Sequence, residues 1–135
     1  MQDVTKQLIP WFVAAFLGFS MLFTDANAGY SDWSKEKRQL FWASNLAIAY
    51  DIKTTTDAVP YWRNGLMERN PILGLYPTQN QLLGYMVVRV AVNYAVADWL
   101  KPPHDTYYLG ITAGGGFMVG FNNSRLVDKV RRDGR

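Results

Sequence analysis

Apolar runs alternate with short polar segments along this chain, and the alternation predicts helices. The first run spans residues 8–23; Lys6 precedes it, and the small-residue sequence Ala-Asn-Ala follows at 26–28. This arrangement is typical of a secretory signal peptide, and an uncleaved run of this length would act as a signal anchor. We therefore expect residues 1–28 to be a signal peptide or signal anchor, and residues 29–135 to form a single helical envelope domain.

The next two segments predict helices with recognisable starts. Asp32 or Ser34 can cap the first helix, whose apolar core of about eleven residues is short of the roughly 20 that cross a bilayer. The second helix follows Pro77, where Thr78 and Gln81 have the spacing of a capping box. It is expected to stop at the lysine and two prolines that begin at residue 101.

A glycine-rich third segment extends from Tyr107 to Phe121. Gly110 and Gly114, and likewise Gly116 and Gly120, are spaced four apart, as in membrane helices that approach each other closely. The loose alternation of this segment also fits a β-hairpin, but the glycine spacing favours a helix. We expect these four glycines to pack helices together and to mediate self-association.

Polar residues inside the apolar helices are candidates for a site. Asp51 and Thr55 share a face of the first helix, and Arg89 and Asn93 share a face of the second, because each pair is four residues apart. An ionisable residue in an apolar helix normally pairs with another or lines a wet cavity. Arg89 is therefore expected to pair with Asp51 or Glu68, either as a register-fixing ion pair or as part of a functional pocket.

The loop that joins these two helices adds further candidates. Asn70 is a favoured N-cap, Pro71 a favoured first helical residue, and Gly74 is expected to end the turn. Helix geometry does not explain Glu68, which can interact with a helix N-terminus or serve as acid, base or cation ligand. If the protein is an enzyme, the catalytic candidates are Asp51, Glu68 and Arg89; the ligand-binding candidates are Thr55, Asn70 and Asn93.

Composition excludes several kinds of chemistry. The chain has no cysteine and a single histidine, which excludes disulfides, thiolate zinc sites and iron–sulfur clusters. It contains neither a serine nucleophile elbow nor a phosphate-binding loop. We therefore predict no metal and no cofactor, and the sequence names no reaction.

The formal net charge is +3, and basic residues concentrate at the C-terminus. In an exported protein such a tail fits anionic lipid headgroups or a solvated helix end, so no nucleic acid is expected as a partner.

One combination of residues resembles a known pattern. An Asp followed by Thr ends one helix, and a Glu-x-Asn-Pro motif with a nearby Leu-Gly and Pro opens the next. The matching residues are Asp51, Thr55, Glu68, Asn70, Pro71, Leu73, Gly74 and Pro77, with Asn122 or Asn123 near the end of the last helix. The pattern resembles small uncharacterised membrane proteins of bacteria and their phages, a family of unknown function. The resemblance spans about residues 43–122 and implies a small helical membrane protein with a site at Asp51, Glu68 and Asn70.

These observations predict an all-α fold: a small, membrane-associated helical bundle with an N-terminal signal segment and about three helices. We expect it in the inner membrane or periplasm, where its partners are the lipid bilayer and a second copy of itself or another envelope protein. The leading hypothesis is a non-enzymatic interaction or structural component of the cell envelope, and a phage-encoded protein of this kind would modify the host envelope. The alternative is a small membrane enzyme or carrier whose polar pocket is built from Asp51, Glu68, Asn70 and Arg89.

Overall fold

The chain divides into two compact units, residues 1–33 and 34–135. The computed structural model describes residues 29–134, except for the side chains of residues 63 and 64. The predicted signal segment, residues 1–28, lies outside the described residues. Of the first unit, the structure describes one short helix, α1, at Gly29–Asp32.

Three long helices build the second unit. They are α2 at Lys35–Ala58, α3 at Gln79–Trp99 and α4 at His104–Arg132, and a 3₁₀ helix at Val59–Asn64 continues α2. Residues 29–134 contain no β-strand, which confirms the predicted all-α class and the bundle of about three helices. The β-hairpin alternative for the glycine-rich segment is wrong, because that segment lies within α4.

Local chemistry fixes where two of these helices start. Of the two candidate caps for α2, Ser34 is used, since its Oγ accepts a hydrogen bond of 3.1 Å from the backbone N–H of Lys37. At the start of α3, the N–H of Gln81 donates to Thr78 Oγ1 at 3.3 Å and the N–H of Thr78 donates to Gln81 Oε1 at 2.8 Å. The predicted capping box is confirmed.

Helix α2 packs against both α3 and α4, and the core lies between them. Its fully buried members include Ile48 and Ile52 of α2, Leu82 of α3 and Leu109 of α4. None of the described helices has both the length and the apolar character that crossing a membrane requires.

Two glycines of α4 allow it to approach α2 closely. A Cβ atom at Gly116 would lie 2.9 Å from the Cβ of Ala47, and one at Gly120 would lie 2.6 Å from Cε1 of Tyr50. Any side chain at either position would therefore force the helices or the Tyr50 ring to move. The other two predicted packing glycines, Gly110 and Gly114, are exposed, and a Cβ there would meet no atom within 4 Å.

Polar contacts follow α2 at seven-residue intervals, at positions 37, 44 and 51. Lys37 pairs with Asp105 of α4 across 3.0 Å, although the Asp105 side chain is only 1% exposed. Asn93 of α3 donates to Ser44 Oγ at 2.8 Å. Together with the approach of Gly116 to Ala47, the first contact shows that α2 and α4 run parallel. Together with a bond from Arg89 to Asp51, the second shows that α3 runs antiparallel to both. The third contact, at Asp51, belongs to the site described next.

Candidate functional site

A cleft of about 850 Å³ lies at the end of the bundle where α2 passes into the 3₁₀ helix. This volume is within the usual range for sites that hold small molecules. Segments from α2, the connecting loop, α3 and α4 form its walls. Its polar and charged lining residues are Asp51, Thr55, Glu68, Arg69, Asn70, Tyr85, Arg89, Asn122 and Asn123. The structure therefore brings together all but one of the polar candidates predicted from the sequence.

The ion pair between Asp51 and Arg89 forms one wall of the cleft. Arg89 Nη1 donates to Asp51 Oδ2 at 2.6 Å, and the two side chains are 26% and 13% exposed, respectively. Such a short, charge-assisted bond across two helices fixes their relative position. Of the two predicted partners for Arg89, the structure selects Asp51.

Helix α4 contributes a second contact to the same carboxylate. Asn123 Nδ2 lies 3.4 Å from Asp51 Oδ1 and 3.1 Å from Thr55 Oγ1. Thr55 in turn donates to the backbone carbonyl of Asp51 at 2.9 Å, which fixes its hydroxyl as an acceptor for the amide. Of the two asparagines predicted near the end of the last helix, Asn123 makes these contacts, and Asn122 lines the cleft as an exposed side chain.

Glu68 is held by its own loop. Its Oε1 accepts hydrogen bonds from the backbone N–H groups of Arg69 at 2.9 Å and Asn70 at 2.8 Å. Its own N–H donates to the carbonyl of Leu75 at 3.0 Å, which closes the base of the loop. Glu68 makes no ion pair with the described side chains, and its Oε2 accepts no hydrogen bond from them.

Asn70 organises the turn that follows. Its Oδ1 accepts from the N–H of Ile72 at 3.0 Å, and its carbonyl accepts from the N–H of Leu73 at 3.1 Å. Gly74 then adopts φ +74°, a left-handed conformation that glycine takes without strain. The segment forms a turn and no helix, so Pro71 is not the first helical residue that the sequence predicted. Asn70 caps this turn and Gly74 ends it, as predicted.

Tyr85 connects this loop to the ion pair, and sequence reasoning missed it. Asn70 Nδ2 donates to the Tyr85 hydroxyl at 2.7 Å, and the guanidinium carbon of Arg89 lies 5.7 Å from the centre of the Tyr85 ring. An arginine at this distance from an aromatic ring is in the range of a cation–π contact. The available signal was the spacing, because Tyr85 lies four residues before Arg89 on the same helix face.

Asn93 is the one ligand-binding candidate outside the cleft. Its Nδ2 donates to Ser44 Oγ at 2.8 Å and to Asn45 Oδ1 at 2.9 Å, and the side chain is buried between α2 and α3. Its Oδ1 has no hydrogen-bond partner among the described residues. The sequence predicted that Asn93 shares a helix face with Arg89. Both side chains contact α2, but Asn93 contacts it at Ser44 and Asn45, about two turns before the Asp51 contact of Arg89.

The cleft can bind a polar group from several sides. Its described charged residues are two carboxylates and two arginines, Asp51, Glu68, Arg69 and Arg89, so their formal charges cancel. Within residues 29–134 there is no group of three histidine, cysteine, aspartate or glutamate side chains that could hold a metal ion. Both carboxylates accept hydrogen bonds from neighbours that fix their orientation, which suits binding of a ligand.

Comparison of the chain with protein-family models, curated proteins and solved structures finds no match. The resemblance to small bacterial and phage membrane proteins therefore stays a prediction, and function has to be argued from the cleft itself.

Proposed function

We propose that this protein is a membrane-associated binding protein that holds a small polar molecule in the cleft. The observation that carries the proposal is the convergence of polar side chains from α2, the loop, α3 and α4 on one cavity of ligand size. Binding without chemistry agrees with the predicted non-enzymatic role. The residues of the cleft are also those of the predicted alternative, a small membrane enzyme or carrier with a pocket of Asp51, Glu68, Asn70 and Arg89.

The contacts around the cleft favour binding because they orient its groups in advance. Asp51 and the Tyr85 ring hold Arg89, and the loop backbone holds Glu68. A site whose side chains are already fixed loses less conformational entropy when a ligand binds.

One face of α4 supports association with a membrane. Ile111, Met118 and Phe121 are exposed apolar side chains, and Arg125 and Lys129 continue the same face towards the C-terminus. An apolar surface that ends in cations fits a bilayer with anionic headgroups. Cell fractionation combined with intact-mass measurement tests this part of the proposal. We expect the protein in the membrane fraction. Recovery of the full-length chain as a soluble cytosolic protein would contradict this part of the proposal.

The binding proposal is tested by NMR with water-soluble probes. We suggest titrating the ¹⁵N-labelled full chain with glycerol 3-phosphate, O-phosphoethanolamine and glucose. We expect at least one probe to give saturable shifts of the Trp62 indole N–H, which lies in the cleft wall. The double variant Asp51→Asn/Arg89→Gln should lose them. Lys53→Gln, which removes a cation of α2 outside the cleft, should retain them. If no probe moves this signal, the cleft does not hold a small soluble molecule of these three kinds.

A second candidate function, self-association, is favoured by the exposed glycines of α4. Gly110 and Gly114 lie beside exposed Ile111 and have free space around them, as a helix needs in order to approach a second copy closely. Gly114→Leu should convert oligomers to monomers in analytical ultracentrifugation. The matched control is Gly84→Leu, at an equally open position on α3. Equal behaviour of the two variants would exclude this interface.

A further inference from the structure

Three of the exposed side chains that line the cleft are apolar, and we call them its apolar mouth. They are Met67, Val119 and Leu126, which are 52%, 48% and 43% exposed, respectively. A purely polar ligand would leave these three apolar side chains in water, whereas a ligand with an apolar part would cover them.

Arg89 offers a place for an oxyanion. In the described part of the chain, Asp51 takes one of the five N–H donors of the guanidinium. The planar arrangement of the remaining donors suits the oxygens of a phosphate. The Tyr85 hydroxyl, which accepts from Asn70, still has its own hydrogen to donate beside Arg89.

Glu68 offers a place for a cation or a hydroxyl donor. Its Oε1 is occupied by two backbone N–H groups, and its Oε2 accepts no hydrogen bond from the described residues. The formal charges of the described lining residues sum to zero. A ligand with one positive and one negative group therefore fits the cleft better than a polyanion does.

We propose that the ligand is a zwitterionic phospholipid, an inference that rests on the proposed binding function. Its phosphate diester lies against Arg89 and Tyr85, its ammonium group against Glu68, and its acyl chains leave the cleft over Val119 and Leu126. A free headgroup would make the same polar contacts and leave the apolar mouth uncovered. The acyl chains therefore distinguish the lipid from a soluble phosphate ester.

The experiment is native mass spectrometry of the full chain in detergent with added phosphatidylethanolamine, phosphatidylcholine or phosphatidylglycerol. We expect phosphatidylethanolamine to be retained most strongly, because its ammonium can donate hydrogen bonds to Glu68.

The Glu68→Gln variant keeps an oxygen for the two loop N–H groups and should therefore fold. It should lower retention of phosphatidylethanolamine by about tenfold, as expected when a hydrogen bond to a charged group is lost. Asp57→Asn, an exposed carboxylate of α2 outside the cleft lining, is the matched control and should change nothing.

Three results would overturn this inference, and they can be distinguished from one another. If O-phosphoethanolamine binds in the NMR titration as tightly as the lipid does, the site takes a soluble molecule, and the binding proposal stands while the lipid is excluded. If the three lipids are retained equally and Glu68→Gln has no effect, the lipid contact lies elsewhere. If neither the lipids nor the soluble probes bind, both proposals fall.

Discussion

The close approach of α4 to α2 at Gly116 makes a quantitative prediction. The change is Gly116→Ala, with Gly114→Ala as its partner variant two residues earlier on the same helix. A methyl group at Gly116 would lie 2.9 Å from the Cβ of Ala47. Carbon atoms in good contact are about 3.5–4.0 Å apart, so the helices must separate by roughly 0.6–1.1 Å. A methyl group at Gly114 would meet no atom within 4 Å.

The two variants share one energetic effect and differ in another. Both gain about 1 kcal/mol from the higher helix propensity of alanine over glycine. Only Gly116→Ala overpacks the interface, which typically costs about 1–3 kcal/mol. The difference between the two variants removes the shared effect, so Gly116→Ala should be about 1–3 kcal/mol less stable than Gly114→Ala.

The assay is thermal and denaturant unfolding followed by circular dichroism. For a domain of this size, 1 kcal/mol shifts Tm by about 4–8 °C. Gly114→Ala should therefore unfold at a higher temperature than the parent, and Gly116→Ala well below Gly114→Ala. Equal stability of the two variants, within about 0.5 kcal/mol, would refute the reasoning, because it would mean that the two helices do not approach at Gly116.

Two further predictions concern ion pairs. Arg89→Leu should cost about 1–3 kcal/mol, because it leaves the largely buried Asp51 carboxylate unpaired, and the double variant Asp51→Asn/Arg89→Leu should recover at least half of that loss in the same unfolding assay. Lys37→Met should cost about 3–5 kcal/mol, because Asp105 is almost completely buried, whereas Lys53→Met at the exposed pair of the same helix should cost about 0–1 kcal/mol.

Each of these predictions has a result that contradicts it. If the double variant is no more stable than Arg89→Leu alone, the unpaired carboxylate is not the source of the loss. If Lys37→Met and Lys53→Met cost the same, Lys37 and Asp105 are solvated rather than packed between α2 and α4.

The helix starts could be predicted because the interactions that fix them are local. Ser34, Thr78 and Gln81 bond to backbone groups within three residues, so the spacing along the chain is sufficient information. The turn at Asn70 and Gly74 could be predicted for the same reason. Those residues satisfy backbone donors or take a left-handed conformation whatever the rest of the fold does.

The contacts between the site residues could not be predicted from local spacing. Arg89 lies 38 residues after Asp51, and its choice of Asp51 over Glu68 depends on how α3 packs along α2. The role of Glu68 depends on a loop conformation in which its own backbone neighbours reach its carboxylate. Four glycines of α4 form two pairs with the same spacing, yet Gly116 and Gly120 face α2 while Gly110 and Gly114 face away. This difference depends on the rotation of the whole helix.

The polar contacts at Lys37, Ser44 and Asp51 have a consequence for the helix register. They are seven residues apart on α2 and meet partners of different chemistry: a carboxylate, an amide and a guanidinium. If α2 slid by one heptad, Arg89 would face the hydroxyl of Ser44 instead of a carboxylate. The three contacts together therefore specify one register. A ligand phosphate that bonds to the remaining donors of Arg89 would leave all three contacts in place.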